Sequence, residues 1–548
     1  MPIPTSVNDL STTAESNSPT GSDSPSQIDN YIRSHASIIR QVSDAKADLT
    51  DIIDYSASSG SSLVGFLQSG TGAVATTVQA KLRESVSVKD FGAVGDGVAD
   101  DTVAIQSAID AGKTYLTTTS GREIYFPPGR YKVTTIDLTA CHGVHLVGAG
   151  AYATEIFTSG TNQVIKAIGS SSAPLNKAGV KNMTIRGGGK ANTSAHGIDL
   201  QWANTCYLEN LVFFGCRNAL NLAHQWQTYL TNISVHGGGA DQSYIGVFMD
   251  ATDLTYIDNA VIASGVVVQS TSGYGFRIIN GQGSKFVNCE AGGNPMVYAW
   301  YIGDPPSGTV PCQWLHISNC LGDSTTGTTW LIRQGTASEL SQIQISNCWA
   351  GNGDKGFYLD GLSYSALTNL LSVGHASSAI VLNQCAYVTV SNSVFKTCNE
   401  NLSVGVYDIA LQSSTYCTIN GCTSEPLIAG KSLVETGSSN TNTIYGNNLF
   451  QGMTLIGANT QAFRNIAAKT ENKGQIDLLS GTTSIVVSHG LVVTPDLSCI
   501  SVTPKTGIGL AKSYWITTPT ATTFTINVDA NPGANIGFCW NIVLSKTQ

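Results

Sequence analysis

Residues 286–290 read FVNCE, residues 317–321 ISNCL and residues 345–349 ISNCW. Each time an apolar residue stands two places before an asparagine. The same unit recurs as Val180-x-Asn182, Leu208-x-Asn210, Leu230-x-Asn232, Ile257-x-Asn259, Leu367-x-Asn369 and Val390-x-Asn392, and a further copy, Ile419-x-Gly421, has lost the asparagine. Spacings of 22 to 31 residues match one coil of a β-solenoid with loops of variable length. Asparagines stacked on successive coils and turned inward are expected to hydrogen-bond along the stack, satisfying one another where water is absent.

Composition agrees with many short strands and turns. Charged residues make up only 12% of the 548, and glycine, serine, threonine and asparagine are abundant. The net charge of −9 and the lack of a basic run argue against nucleic acid as a partner. No apolar stretch reaches the roughly 18–20 residues that span a bilayer. The first residues, MPIPTSVNDLSTTAESNSPTGSDSPSQ, have neither the basic start nor the apolar centre of a secretory signal. The 13 cysteines show no paired zinc spacing, so reduced thiols in a protein assembled in cytoplasm are expected, with no metal and no cofactor.

Alternation along the ladder assigns faces. Positions two before and three after the asparagine are mostly apolar and expected inside, the latter being Ile185, Phe213, Val235, Ile262 and Phe395. Cys289, Cys320 and Cys348 directly follow their asparagines and read as a stack of small buried side chains. Positions two and four after the asparagine are expected outside. They carry Glu290 on one coil, Asp323 on the next and Trp349 on the third. With coils about 4.8 Å apart and two residues covering about 6.7 Å, Glu290 and Asp323 are expected about 8 Å from each other. Inverting glycosidases need about 6.5–9.5 Å between their carboxyls, room for the attacking water. Glu290 is the expected acid, because Cys289, Ala291 and Trp349 are less polar neighbours that favour its protonated form. Asp323 is then the base, Trp349 a platform for a sugar ring, and Asp354 in GNGDKG a third carboxylate. Other exposed acids are Asp304, Asp360, Glu400, Asp408 and Glu425, which a cleft between subunits could recruit. The chemical rival is β-elimination. It needs a base beside a group that neutralises a uronate, and Arg186 and His236, four places after their asparagines, offer a cationic strip and candidate substrate-binding groups.

Upstream of the ladder, VKDFGAVGDGVADDTVAIQSAIDA at 88–111 places Asp96, Asp100 and Asp101 close together. Turn chemistry and an N-cap explain them: Asp100 or Asp101 caps a helix running to Ala111, with Val103, Ile105, Ala108 and Ile109 on its apolar side and Gly112 ending it. Too few oxygens follow in order for a calcium loop. With IYFPPGRYKV at 124–133, this stretch resembles the start of the pectate-lyase-like right-handed β-helix of bacteriophage tailspikes and related polysaccharide-degrading proteins. The resemblance implies that the helix caps the solenoid. It also implies a hydrolytic Glu and Asp on successive coils. Some members carry another Asp three residues further on, where this chain has Thr326.

The expected class is therefore all-β: a right-handed parallel β-helix (solenoid) over 86–465, with flanking segments. Residues 1–85 form an N-terminal attachment segment. Within it Ile28, Ile32, His35, Ile39, Val42, Lys46, Leu49 and Ile53 make a heptad seam, a coiled-coil helix over 28–54. After Asn442 the ladder fades, and the alternating strands of 466–548 suggest a β-sandwich that resembles the trimerisation modules of phage tail proteins. The expected protein is a homotrimeric virion spike that docks to a tail or adaptor through its N-terminus. It binds and depolymerises a bacterial surface polysaccharide. A lyase and a non-catalytic receptor-binding spike are the alternatives.

Overall fold

The structure, a computed structural model, describes all residues except 1–27, 29, 43–59, 114–121, 238–241, 252–259, 306–311, 336–338, 397–406, 427–431, 458, 468, 492–493, 518 and 545–548. The chain divides into two compact units, Met1–Ser85 and Val86–Gln548. In the first, residues 30–42 are helical, Gly65–Phe66 pairs with Thr76–Thr77, and a short helix, Val78–Leu82, is capped by the Thr77 hydroxyl. Ile28, Ile32, Ile39 and Val42 of the seam are exposed, whereas Tyr31 and Ile38 are buried. Lys46, Leu49 and Ile53 lie outside the described residues.

The second unit opens with a strand, Val86–Ser87, a 3₁₀ turn and a helix, Thr102–Lys113. Asp96 accepts from the amides of Val98 and Ala99, and Asp100 from that of Thr102, so the acids hold the backbone here. These bonds hold both carboxyls below their ordinary range. Two expectations need correcting. Val103 is exposed while Ile105, Ala108 and Ile109 are buried, and Gly112 does not end the helix. It lies inside the last turn, where a Cβ would come 2.7 Å from Cδ1 of Ile124.

From Ile136 to Thr454 the chain coils around one continuous core as a right-handed parallel β-helix. One wall is a long parallel sheet of 14 described strands, and the other is a second parallel sheet folded along its length by sharp corners. The ladder asparagines make one of those corners. Asn182, Asn210, Asn232, Asn288, Asn319, Asn347, Asn369 and Asn392 all have φ between 51° and 59°. Asparagine adopts this left-handed region more readily than other side-chain-bearing residues, and glycine does so freely. That is why Gly421, with φ 61°, replaces asparagine without breaking the series.

The asparagines do stack: Nδ2 of Asn210 donates to Oδ1 of Asn182 at 2.9 Å, Asn232 to Asn210 at 3.1 Å, and Asn369 to Asn347 at 3.0 Å. They do so on the outside of the corner, not inside the core. Buried asparagines lie elsewhere, among them Asn442, Asn447 and Asn465, with Nδ2 of Asn447 donating to Oδ1 of Asn465 at 3.0 Å. The copy Ile257-x-Asn259 lies outside the described residues. Register pairs Thr231 with Ser264 and Ile233 with Val266, which sets Gly265, φ 64°, opposite Asn232. On that coil Val268 is the buried residue, and Ile262 faces outward. Cys289, Cys320 and Cys348 are buried as a stack, and no described cysteine is in a disulfide.

Beyond the coils, Glu471–Leu478, Ile536–Val543 and Ile500–Pro504 form one antiparallel sheet, and Ser484–Ser488, Thr523–Val528 and Tyr514–Thr517 another. Leu478, Val487, Phe524, Ile526, Phe538 and Ile542 fill the space between them, making a β-sandwich.

Candidate functional site

Three short strands on successive coils carry the carboxylate pair: Glu290–Gly292, Leu321–Asp323 and Trp349–Gly351. Their register sets Glu290 beside Leu321 and Leu321 beside Trp349 in one outward row, and Gly292 beside Asp323 and Asp323 beside Gly351 in the next. Asp323 therefore stands one coil and two residues from Glu290, the offset that separates them by about 8 Å. Leu321 comes between Glu290 and Trp349, so Trp349 is not the immediate neighbour that the sequence suggested. Cys289 and Ala291 point into the core.

Glycines flank Asp323 on both sides, leaving its carboxylate in a notch. A Cβ on Gly351 would lie 2.8 Å from Oδ1 of Asp323 and 2.8 Å from the Trp349 ring. The same oxygen accepts from Nδ2 of Asn352 at 3.0 Å. Asn352, with φ 47°, turns the corner that follows the strand. Gly351→Ala is expected to push both groups aside and lower turnover on the order of 10²-fold, with a stability cost below about 3 kcal/mol. Kinetics and chemical denaturation of the same preparation check this, and unchanged turnover would count against the notch.

Beneath the strands sits a column of aromatic rings from the long sheet. Phe276 and Trp300 stack at 3.9 Å, Trp300 and Trp330 at 4.7 Å, and Trp330 and Phe357 at 5.5 Å. Both indoles are fully buried, and Gly322 faces that of Trp330. A Cβ on Gly322 would lie 2.9 Å from Nε1 of Trp330. Each indole N–H also holds a site strand, Trp300 Nε1 donating to the Leu321 carbonyl at 3.1 Å and Trp330 Nε1 to that of Trp349 at 3.0 Å.

His375 braces the turn after Gly351. Its Nδ1 accepts from the Gly353 amide at 3.3 Å, which leaves Nε2–H to donate to the Ala350 carbonyl at 3.2 Å. The ring is neutral, and burial pushes its pKa down to about 4. The unfolded chain takes up this proton near pH 6.5 and the folded chain only near 4, so stability is intact above pH 6.5 and falls between these values. The expected loss is roughly 3 kcal/mol, read from urea midpoints across that window. His375→Gln should flatten this part of the profile, and an identical slope in both proteins would exclude His375 as its source.

The remaining predicted residues are not all brought together. Asp354 accepts from Lys355 Nζ at 2.7 Å and Ser377 Oγ at 3.0 Å. Burial opposes its charge, but Lys355 and Ser377 outweigh burial and hold the carboxyl below its ordinary range. Arg186 and His236 share the outer row of Asp323, but the register places them five and three coils upstream, about 24 Å and 14 Å away. Arg186 pairs with Glu155 at 2.6 Å and lies over the Phe214 ring, against which His236 also stacks. Asp408 is buried, accepting from Ser424, and is no exposed candidate. Glu425 pairs with Lys396 at 3.6 Å, and Glu400 lies outside the described residues. The notch glycines, Asn352 and His375 escaped the sequence reading, although glycines four places after Asn288 and Asn347 were visible there.

Residues 85–292 match the family described as rhamnogalacturonase A/epimerase, pectate lyase-like. The mutant tailspike protein of E. coli bacteriophage HK620, solved in complex with a pentasaccharide, superposes with a TM-score of 0.57 at 12% identity, over 89% of this chain and 99% of that one. The fold is the pectate-lyase-like β-helix of tailspikes. Mannuronan C5-epimerase AlgE6 of Azotobacter vinelandii is 40% identical over 116 residues, 20% of this chain and 13% of the relative. Plasmin and fibronectin-binding protein A of Streptococcus pneumoniae is 50% identical over 58 residues, 11% of this chain and 8% of the relative. The chain thus spans a small part of these curated relatives.

Proposed function

We propose that this chain is a phage tailspike whose β-helix binds a bacterial surface polysaccharide, capsule or O-antigen, and cleaves it by endo-glycosidic hydrolysis. The observation that carries the reading is the offset pair, with Asp323 half-buried in a glycine notch and Glu290 one coil and two residues away. Glu290 gives its proton to the leaving glycosidic oxygen. Asp323, already an acceptor toward Asn352, takes a proton from the water that attacks the opposite face of the sugar. Such a displacement inverts the anomeric centre. Trp349, beside Leu321 and leaning over Gly351, supplies a face for a sugar ring.

Likeness of fold to tailspikes supports the setting, a virion tail acting at the cell surface after assembly in the host cytoplasm. The exposed seam of Ile28, Ile32, Ile39 and Val42 supports helix association, and with it a homotrimer attached to a tail or adaptor through the N-terminal unit. The C-terminal sandwich is proposed as the second trimerising element. β-Elimination is the second reading, favoured by the local identity to a mannuronan C5-epimerase and by the Arg186–Phe214–His236 column.

Mass and end-group analysis of fragments released from susceptible cells separates the readings. Hydrolysis yields saturated ends with the anomer inverted at first release. Unsaturated uronate ends would overturn it in favour of elimination, and no released fragment at all would leave a binding spike.

A further inference from the structure

The long sheet carries a second constellation on its outer face, away from the strands of Glu290 and Asp323. Register aligns Arg277 with Tyr301, and Gly303 with Arg333 and then Asp360. The Arg277 guanidinium lies 3.9 Å from the centre of the Tyr301 ring, and its Nη1 donates to the Gly303 carbonyl at 2.8 Å. The Tyr301 hydroxyl donates to Oδ2 of Asp304 at 2.8 Å. Arg333 pairs with Asp360 at 3.4 Å while half of its side chain stays exposed. Oδ1 of Asp360 accepts from Asn383 at 2.7 Å.

Arg277 is half-buried, and the carboxylates that act on it, Asp304 and Asp250, stand beyond ion-pair distance, so its charge gives up part of its hydration without a direct ion pair among the described residues. Its position is fixed by an aromatic ring and a backbone carbonyl, which leaves the rest of the fork of donors set in a constant direction. Tyr301 and Asp304 add an oriented acceptor beside it. Three carboxylates, Asp250, Asp304 and Asp360, act on the two guanidiniums, so no net positive charge is left for an anion. An acidic sugar would meet Asp304 and Asp360, whereas paired hydroxyls of a neutral pyranose accept from Arg277 and donate to Asp304.

We propose that Arg277, Tyr301, Asp304, Arg333 and Asp360 form a binding subsite for a neutral sugar unit, separate from the cleavage site and active in gripping rather than cutting the glycan. The proposal does not depend on hydrolysis by Glu290 and Asp323. Calorimetric titration of the full chain with maltohexaose, mannohexaose and cellohexaose, and with trigalacturonate as the acidic control, tests it. At least one neutral hexasaccharide is expected to bind, and Arg277→Met and Asp304→Asn are each expected to weaken it tenfold or more. Failure of all three neutral sugars, equal affinity in Arg277→Met, or equal binding of trigalacturonate would overturn the subsite. A loss in Glu290→Gln that Arg277→Met does not share moves the sugar to the cleavage face and overturns it as well. If Arg277→Met does not fold, Tyr301→Phe removes only the hydroxyl and decides by the same tenfold criterion.

Discussion

Asp323→Asn is expected to slow release of oligosaccharide by about 10²–10⁴-fold, with Glu290→Gln causing a loss of similar size. Each change keeps the volume and polarity of the side chain while removing a group able to exchange a proton, so binding of the intact glycan should change far less than turnover. The Asn352 amide that donates to Asp323 at 3.0 Å can still donate to the new amide's carbonyl, which keeps the corner in place. The double variant should be little worse than either single one, because acid and base act in one displacement and their losses are not additive. Initial rates of reducing-end release measure this. Retention of more than a tenth of parental activity in both single variants would remove the pair as the reacting groups, whatever glycan is cut.

Trp330→Ala is expected to cost about 3–5 kcal/mol in stability, among the largest losses any single truncation in this chain should show. The indole is fully buried between Trp300 and Phe357, and Gly322, which faces it, is too small to fill the space it leaves. The Trp349 carbonyl, which it serves at 3.0 Å, also loses its donor. Trp330→Phe separates the two effects: most of the packing stays, the N–H goes, and about 1 kcal/mol is expected to be lost. Because that carbonyl belongs to the strand beside Asp323, Trp330→Phe should reduce turnover more than its stability loss suggests. Chemical denaturation with parallel kinetics reads both quantities, and a Trp330→Ala protein as stable as the parent would show that the column relaxes and bears no weight.

The recurrence of an apolar residue two places before asparagine was enough to recognise a solenoid, because coil length and core alternation are local properties repeated in the chain. The sequence also held a clue that simple alternation misreads. Residues two before and one after the asparagine are both buried, as with Phe286 and Cys289, Ile317 and Cys320, or Ile345 and Cys348. Inward residues three apart cannot belong to one regular strand, so the residue between must turn a corner. Asparagine and glycine are the two residues that suit a left-handed corner, which explains both the ladder and its exception at Gly421. Read that way, the asparagines belong outside.

The offset between Glu290 and Asp323 was legible for the same reason, since it depends only on counting from two corners. What surrounds them was not. The notch needs Gly292 and Gly351 from neighbouring coils, the bond from Asn352 needs the next corner, and the indoles beneath arrive from the other sheet. Arg277 and Asp304 likewise meet through a tyrosine that lies between them in space. Position along one strand follows from backbone geometry that every residue shares. Contact between strands depends on register across loops of unequal length, and only the folded chain sets that register.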